Sequence, residues 1–465
     1  MGKTNRWIKL LLCPCAYLGG LALLIGLLLA VCLIPSEALY DNARASAQYI
    51  QDEEVSFYDI ERPAPLAYQR IDNYADMILF NIAVSIDSSK PLASMLEARY
   101  LLDPQRKSAE LVLARLDGEA TNADYSRYWH GMLIFIRPLL TVVNYNTMRI
   151  LNTVVLCGLA VWLCVLLLRR RLWWLCMVTV FALLVCDFAT VPLCFEFYIM
   201  SAMSLLFSCI VLILDKRFVT DGGTIWNEVH LMVFFTVSGL CACFFDFLTS
   251  ETLTLLLPLI MVLITRAVRY GEDNSYGITA KHAFFLIFAC GLCWGISYAL
   301  TYAVKWGLTA AVIPEISFTD ALTYAEVRAT GAVEKAVFPL PYEAVLRNLA
   351  MLPILSMPNT DRGIIAIICI FLVSALIYMI LLCRKPRQLA VPGLIALLSL
   401  IPYLRYLVLA NHSVLHHFFT YRAQAASITA VFGALIIALE PDIVKILLGE
   451  VKKERIKHTK KGKNK

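Results

Sequence analysis

Charge is what this chain has least of. Only 16% of its 465 residues are Asp, Glu, Lys or Arg, while 60% are hydrophobic. A soluble domain carries roughly 25% charged residues. The shortage excludes an ordinary water-soluble enzyme, because the apolar excess arrives in blocks of about 20 residues, the length that crosses a bilayer as a helix. The middle of those blocks holds no charge, which argues against an ion-coupled carrier, whose coupling charges sit near the membrane midplane. A basic patch interleaved with aromatics on a soluble segment is also missing, so nucleic acid is not a partner. Cysteine is not scarce, at 15 residues, but the long polar segments contain almost none. Cys157, Cys164, Cys241, Cys243, Cys290 and Cys293 lie in apolar runs as small hydrophobes, and no disulfide framework is implied. Cys13 and Cys15 read as core filler, with acylation as the alternative. No HExxH and no internal repeat is visible.

What is present is a succession of apolar runs. The expected fold is all-α, a polytopic transmembrane bundle of about ten spans with amphipathic interface helices in two large external loops. Residues 1–34 hold the first span, about Trp7–Ile34, whose apolar run is too long for a cleaved signal peptide. Residues 35–129 form an external loop and 130–305 a bundle of spans. A second external loop covers 306–362, the last three spans 363–440, and a basic tail 441–465. Within the bundle, Pro138 and Asn144–Asn146 split an overlong apolar stretch into a short interfacial or re-entrant helix and a span at Met148–Leu168. Further spans are expected at Leu172–Val191, Phe195–Leu214, His230–Asp246, Leu253–Thr265, Ala283–Lys305, Gly363–Cys383, Leu389–Ala410 and Ala425–Leu439. Lys3, Arg6 and Lys9, Arg169–Arg171, Lys216 and Arg217, Arg266, Arg269 and Lys281, Arg384, Lys385 and Arg387, and the tail alternate with short loops near Pro192 and Ser250 that have no basic residue. The positive-inside rule therefore places both termini in the cytoplasm of an integral, plasma-membrane protein. The tail, VKKERIKHTKKGKNK, reads as an anchor on anionic headgroups. In LASMLEARYLL, residues Leu92, Met95, Leu96 and Tyr100 share one helical stripe, suited to lying on the membrane or to packing within a small external domain.

Ionisable residues collect at the outer ends of the spans, and there they mark candidate sites. Asp187 and Glu196 flank one turn, Asp246 and Glu251 another, Lys305 ends a span, and His130, His412, His416 and His417 lie at the same face. In IDNYADMILFNIAV, a helix puts Asp72 and Asp76 four apart on one face, a general base or a hard-cation ligand; the competing reading is an N-cap plus a solvated face. Glu37 and Asp41 repeat the spacing after the first span, where helix-start acids beside Ser36 are the plainer reading. His412 and His416 share a face in NHSVLHHFFTYR, so a divalent metal is a candidate cofactor and hydrogen bonding to lipid phosphate or sugar the stronger reading. Arg405 and Arg422 flank that loop, and Arg137 is an arginine in an apolar stretch that needs an acceptor. The two guanidiniums of Arg405 and Arg422 suit a lipid-linked phosphate at this depth, with snorkelling to headgroups as the competing reading. Asn411-His412-Ser413 forms a glycosylation sequon.

A first span, a long external loop with early acids, interface helices and many further spans together resemble the GT-C class of membrane glycosyltransferases. That class often carries a paired acidic motif after the first span; here the position reads Ser36-Glu37-Ala38-Leu39-Tyr40-Asp41, with the acids four apart. The resemblance implies a polyprenyl-phosphate sugar donor, an envelope glycan or lipid acceptor at the outer leaflet, and a loop carboxylate as base: Glu37, Asp41, Asp72 or Asp76. Arg405, Arg422 or Arg137 would hold the phosphate, and His130, His412, His416 and Asp246 the sugars. The layout also resembles bacterial multipass membrane proteins of no assigned activity. A transporter or flippase of lipid-linked glycans, and a non-catalytic membrane subunit, are the alternatives.

Overall fold

The structure is a computed structural model that describes residues 10–52, 57–60, 69–218, 228–268, 277–333, 338–352 and 388–439. It is helical nearly throughout. The helices are α1 Leu12–Cys32, α2 Tyr40–Asp52, α3 Asn73–Ser85, α4 Pro91–Glu97, α5 Ser108–Leu116, α6 Leu133–Leu140 and α7 Tyr145–Arg169. They continue as α8 Trp173–Val185, α9 Phe195–Phe218, α10 Val229–Phe245, α11 Leu253–Ala267, α12 Ala280–Val312 and α13 Phe318–Thr330. The last are α14 Leu340–Ala350, α15 Ala390–Leu397, α16 Ile401–Val408, α17 Ala410–Leu415, α18 His417–Thr420 and α19 Gln424–Ala438. The two strands β1 Phe57–Ile60 and β2 Gln69–Asp72 pair antiparallel, Phe57 opposite Asp72.

Among the described residues six stretches are long and apolar enough to cross a membrane: α1, α7, Phe195–Asp215 of α9, α12, Ala390–Val408 and His417–Ala438. Three shorter apolar helices, α8, α10 and α11, pack among them. The outward surface is apolar too. On α12, Phe284, Phe288, Leu292, Ile296 and Leu300 recur every four residues and are all exposed; on α7, Val154, Val161 and Val165, seven and four residues apart, are exposed as well. A band of that kind is unstable in water and at home in hydrocarbon, and the chain is an integral membrane protein. The expected stretch Gly363–Cys383 and the basic tail lie outside the described residues.

Local chemistry explains the boundaries. Asn144 caps α7 by accepting from Thr147 N at 3.1 Å, so the polar run after α6 starts the long helix. The expected span Leu389–Ala410 is broken: α15 passes through a 3-10 turn at Leu398–Leu400 into α16, with Pro402 in its first turn. The expected last span is joined at its start by α18 and a second 3-10 turn. Gly239 of α10 sits so close to α12 that a Cβ there would meet the carbonyl of Trp294.

The segment between α1 and α6 is a packed unit. Met77, Phe80, Ile82 and Ala83 of α3, Met95 and Leu96 of α4 and Val112 of α5 are all buried in the main core. Asn81 clamps Leu101 with two 3.0 Å bonds, donating to its carbonyl and accepting from its N–H. The bundle grips the unit from below. Lys305, fully buried on α12, donates to the Leu96 carbonyl at 2.8 Å beyond the end of its own apolar stripe.

The bundle has two chemically different ends. At one, Arg266 reaches Asp215 at 2.7 Å and Glu228 at 2.8 Å, and His282 reaches Glu228 at 2.8 Å. At the other lie the turns 186–194 and 246–252 and the helices α13, α17 and α18. Of the non-glycine residues with positive φ among the described residues, His130, Asp187 and Leu248 are also at this end, where strained backbone commonly accompanies function.

Candidate functional site

The second end is built around one helix face. Trp294, Tyr298, Tyr302 and Trp306 follow one another at four-residue intervals on α12, with ring centroids 4.9, 5.4 and 5.5 Å apart in turn. Trp306 is fixed by donating from Nε1 to the Arg127 carbonyl at 3.1 Å, which draws the segment 124–128 against α12. On the other side the chain turns at Ser317, whose hydroxyl caps α13 through Asp320 N at 3.1 Å while the Asp320 carboxylate accepts from Ser317 N at 3.1 Å. None of the residues of α13 is buried. It leans on Trp306 through Phe318, ring to ring at 5.9 Å.

Between these three segments runs a cleft with two chambers that share Arg127, Trp306, Ala321 and Tyr324 as walls. The inner chamber, about 210 Å³, is apolar and aromatic, lined by Tyr128, Tyr298, Tyr302, Leu248, Glu251 and Arg328 among others. The outer chamber, about 470 Å³, carries Asp124, Glu315, Asp320 and Thr309.

The cations of this cleft are unevenly engaged. The Arg127 guanidinium lies over the rings of Tyr125 at 4.3 Å and Tyr324 at 4.8 Å, and its Nε has no hydrogen-bond partner among the described residues. Arg328 donates to His416 Nε2 at 3.4 Å and makes no ion pair with a described carboxylate. Burial and the neighbouring Arg328 and Arg405 charges push His416 down to about 3, so its ring is neutral and accepts. Glu251, by contrast, is held by Arg405, Nε to Oε1 at 2.9 Å. Arg405 also donates to Ser413 Oγ at 2.9 Å and to the Leu248 carbonyl. That same carbonyl meets His412 Nε2 at 2.8 Å.

The residues singled out in the sequence are distributed more widely. Asp72 is the N-cap of α3, accepting from Ala75 N at 3.0 Å, so it stands outside the helix rather than on its face. Asp76 is fully buried, not solvated, and accepts from Tyr145 Oη and from Phe195 N at 3.0 Å. Glu37 and Asp41 are exposed, on a 3-10 turn and the first turn of α2. Arg137 spends its donors on the carbonyls of Val31, at 2.9 Å, Ile34 and Ala83, closing the C-terminal end of α1. Arg422 is held by Thr190 Oγ1 and the Phe418 carbonyl, both at 2.8 Å, with Asp187 at 3.6 Å. His130 meets the Tyr125 carbonyl at 2.8 Å, and burial pushes it down to about 3. Asp246 ends α10 by accepting from Thr249 N, and burial with the nearby Glu251 charge pushes it up to about 8. His412 and His416 stand ring to ring at 4.5 Å. Among the described residues no group of three or more His, Cys, Asp or Glu converges as a metal site. The Asn411 amide of the sequon is buried and donates to the Gly331 carbonyl at 2.9 Å, which leaves no room for a glycan in the folded chain.

His416 touches a residue that lines the cleft, through Arg328, and Arg405 does so through Glu251; Asp72, Asp76, Glu37, Arg137 and Arg422 are not among the cleft's lining residues. The cleft residues that sequence reading passed over are Asp124, Arg127, Arg328 and the aromatic ladder of α12. The ladder had a visible signal, W-x3-Y-x3-Y-x3-W inside an apolar run. Comparison of the chain with family models, with curated proteins and with solved structures finds no match.

Proposed function

We propose that the chain is a membrane glycosyltransferase that moves a sugar from a polyprenyl-phosphate donor to a hydroxyl acceptor at the outer leaflet, and that the two-chambered cleft is its site. One observation carries the reading: the inner chamber joins clustered aromatic rings to a guanidinium, Arg328, without a carboxylate ion pair among the described residues. Aromatic faces suit the apolar faces of sugar rings, and an available guanidinium suits a phosphate. Asp124, on the first long loop, lines the outer chamber with part of its carboxylate taken by Ser126, N at 3.3 Å and Oγ at 2.7 Å. In the proposed step Asp124 takes the proton of the acceptor hydroxyl. The freed oxygen attacks the anomeric carbon, the bond from that carbon to the phosphate oxygen breaks, and Arg328 with Arg127 receives the leaving phosphate. Arg405 supports this site at one remove, through Glu251, whereas Arg422 and Arg137 bond to other parts of the protein and take no part in it. Orientation with the cleft outside follows from the basic loops at the opposite end.

The experiment uses purified full-length protein in nanodiscs, titrated with a polyprenyl-phosphate analogue. Arg328→Ala is expected to weaken binding by about 1–3 kcal/mol, with Arg328→Lys recovering part. Asp124→Asn is expected to bind the donor normally and to lose roughly 10²–10⁴-fold in sugar transfer. Equal donor affinity in wild type and Arg328→Ala removes the phosphate site from this cleft. Undiminished transfer by Asp124→Asn assigns the base elsewhere.

A further inference from the structure

The two chambers differ in sign. Around the inner one stand Arg127 and Arg328, with Glu251 neutralised by Arg405. Around the outer one stand three carboxylates, Asp124, Glu315 and Asp320, against Arg127 alone, whose guanidinium is turned onto the Tyr125 and Tyr324 rings. The acids are not used up by one another. Asp320 caps its own helix, Asp124 holds Ser126, and Glu315 has no ion pair among the described residues. A second and independent feature is Thr309. It lines the outer chamber, is 2% exposed, and its hydroxyl has no hydrogen-bond partner among the described residues. A helical threonine ordinarily returns its hydroxyl to the carbonyl four residues back, as Thr301 does to Ser297 at 2.7 Å on the same helix. Thr309 leaves that bond unmade, and a buried hydroxyl without a partner is costly unless a ligand supplies one.

We propose that the outer chamber binds a hydroxylated amine, with the ammonium between Glu315 and Asp320 and a hydroxyl on Thr309. This deepens the transferase reading and rests on it for the ligand's role as acceptor; the binding itself does not require transfer. The chamber's carboxylates would prefer an amino sugar to its neutral or N-acetylated counterpart, because acylation removes the charge that they recognise. Trp306 offers a ring face beside them. The same head chemistry occurs free in solution and on a glycolipid, and the cleft's position at one end of the bundle is open to both.

The test is calorimetric titration of full-length protein in nanodiscs with glucosamine, glucose and N-acetylglucosamine, and in a second arm with nanodiscs containing or lacking a glucosaminyl lipid. Glucosamine is expected to bind about tenfold more tightly than either neutral sugar, the usual worth of one charge-assisted hydrogen bond. Glu315→Gln, at an exposed position, should abolish that preference. Thr309→Val should weaken all three sugars and Thr309→Ser restore them, a rescue that a purely structural role for the side chain would not give. If the glucosaminyl lipid suppresses glucosamine binding, the lipid is the source of the ligand; if it does not, the soluble sugar is. Equal affinity for the three sugars, no binding of any, or a preference that survives Glu315→Gln overturns the proposal. Failure of transfer with the amine preference intact would overturn the transferase reading and leave the subsite standing. Transfer to neutral acceptors without the preference would do the reverse.

Discussion

Asp76 ties two parts of the chain together with one carboxylate. Its oxygens receive Tyr145 Oη from α7 and Phe195 N at the head of α9, while its own backbone belongs to α3. Burial pushes the group from the usual 3.8 up to about 7, against the lowering effects of Tyr145, Phe195 N and Arg149. A carboxyl whose folded pKa is raised binds more protons folded than unfolded, so its contribution to stability is greatest below the unfolded pKa and is lost as pH rises through the folded one. The window is therefore about pH 4 to 7. The melting temperature of the purified protein should fall between pH 5 and pH 8, and Asp76→Asn should flatten that fall; identical slopes would show that another group controls it. Asp76→Ala should lose roughly 1–3 kcal/mol, because the Phe195 N–H stays buried without an acceptor while the Tyr145 hydroxyl keeps only the Leu193 carbonyl. The sequence displayed the pair Asp72 and Asp76 but not their difference. Spacing of four places two residues on one helix face only if both are inside the helix, and the helix begins between them, at Asn73.

Between elements, buried arginines set the geometry of the cleft end. Arg405 on α16 is coupled to Glu251 in the turn before α11, and through the Leu248 carbonyl to the strained backbone that lines the inner chamber. Removing one member of a buried pair leaves an unpaired charge, which typically costs about 3–5 kcal/mol, whereas replacing both with apolar residues of similar volume is often close to neutral. Arg405→Met is thus expected to be strongly destabilising and the double change Arg405→Met with Glu251→Met much less so. Chemical unfolding of both variants measures this, and additive losses would deny the coupling. Elements themselves were legible wherever an apolar run met a cap, as at Asn144 before α7 and Thr279 before α12. They were not legible where tertiary bonds replaced caps. Arg137 was visible as an arginine in need of acceptors, yet those acceptors, Val31, Ile34 and Ala83, lie more than fifty residues away in sequence.

On the scale of the whole molecule, the segregation of loops into two chemically distinct ends carries a topological expectation. Epitopes inserted at Glu119 and at Lys281 should be reached from opposite sides of intact cells, the first from outside, as the basic residues near the second require. Labelling of both from one side would refute the arrangement. Membrane class and helix order were readable because hydropathy is local. The cleft was not, since it is assembled from residues 124–128, 248–251, 298–309 and 315–328 and from Leu409, five places in the chain that periodicity cannot bring together. One of its walls also fixes the elevation of the site. The 33 residues of α12 make a rod about 50 Å long. Its exposed apolar stripe, Phe284 to Leu300, covers only about 24 Å of that, somewhat less than the roughly 30 Å of hydrocarbon in a bilayer. With that stripe set in the hydrocarbon, the turns beyond Leu300, with Trp306 and Thr309, come to headgroup height. Hydrophobic matching makes that height a property of the lipid as much as of the protein: in a thin membrane the cleft rises into water, in a thick one it sinks among the headgroups, and the bilayer becomes a gauge of which molecules can reach it.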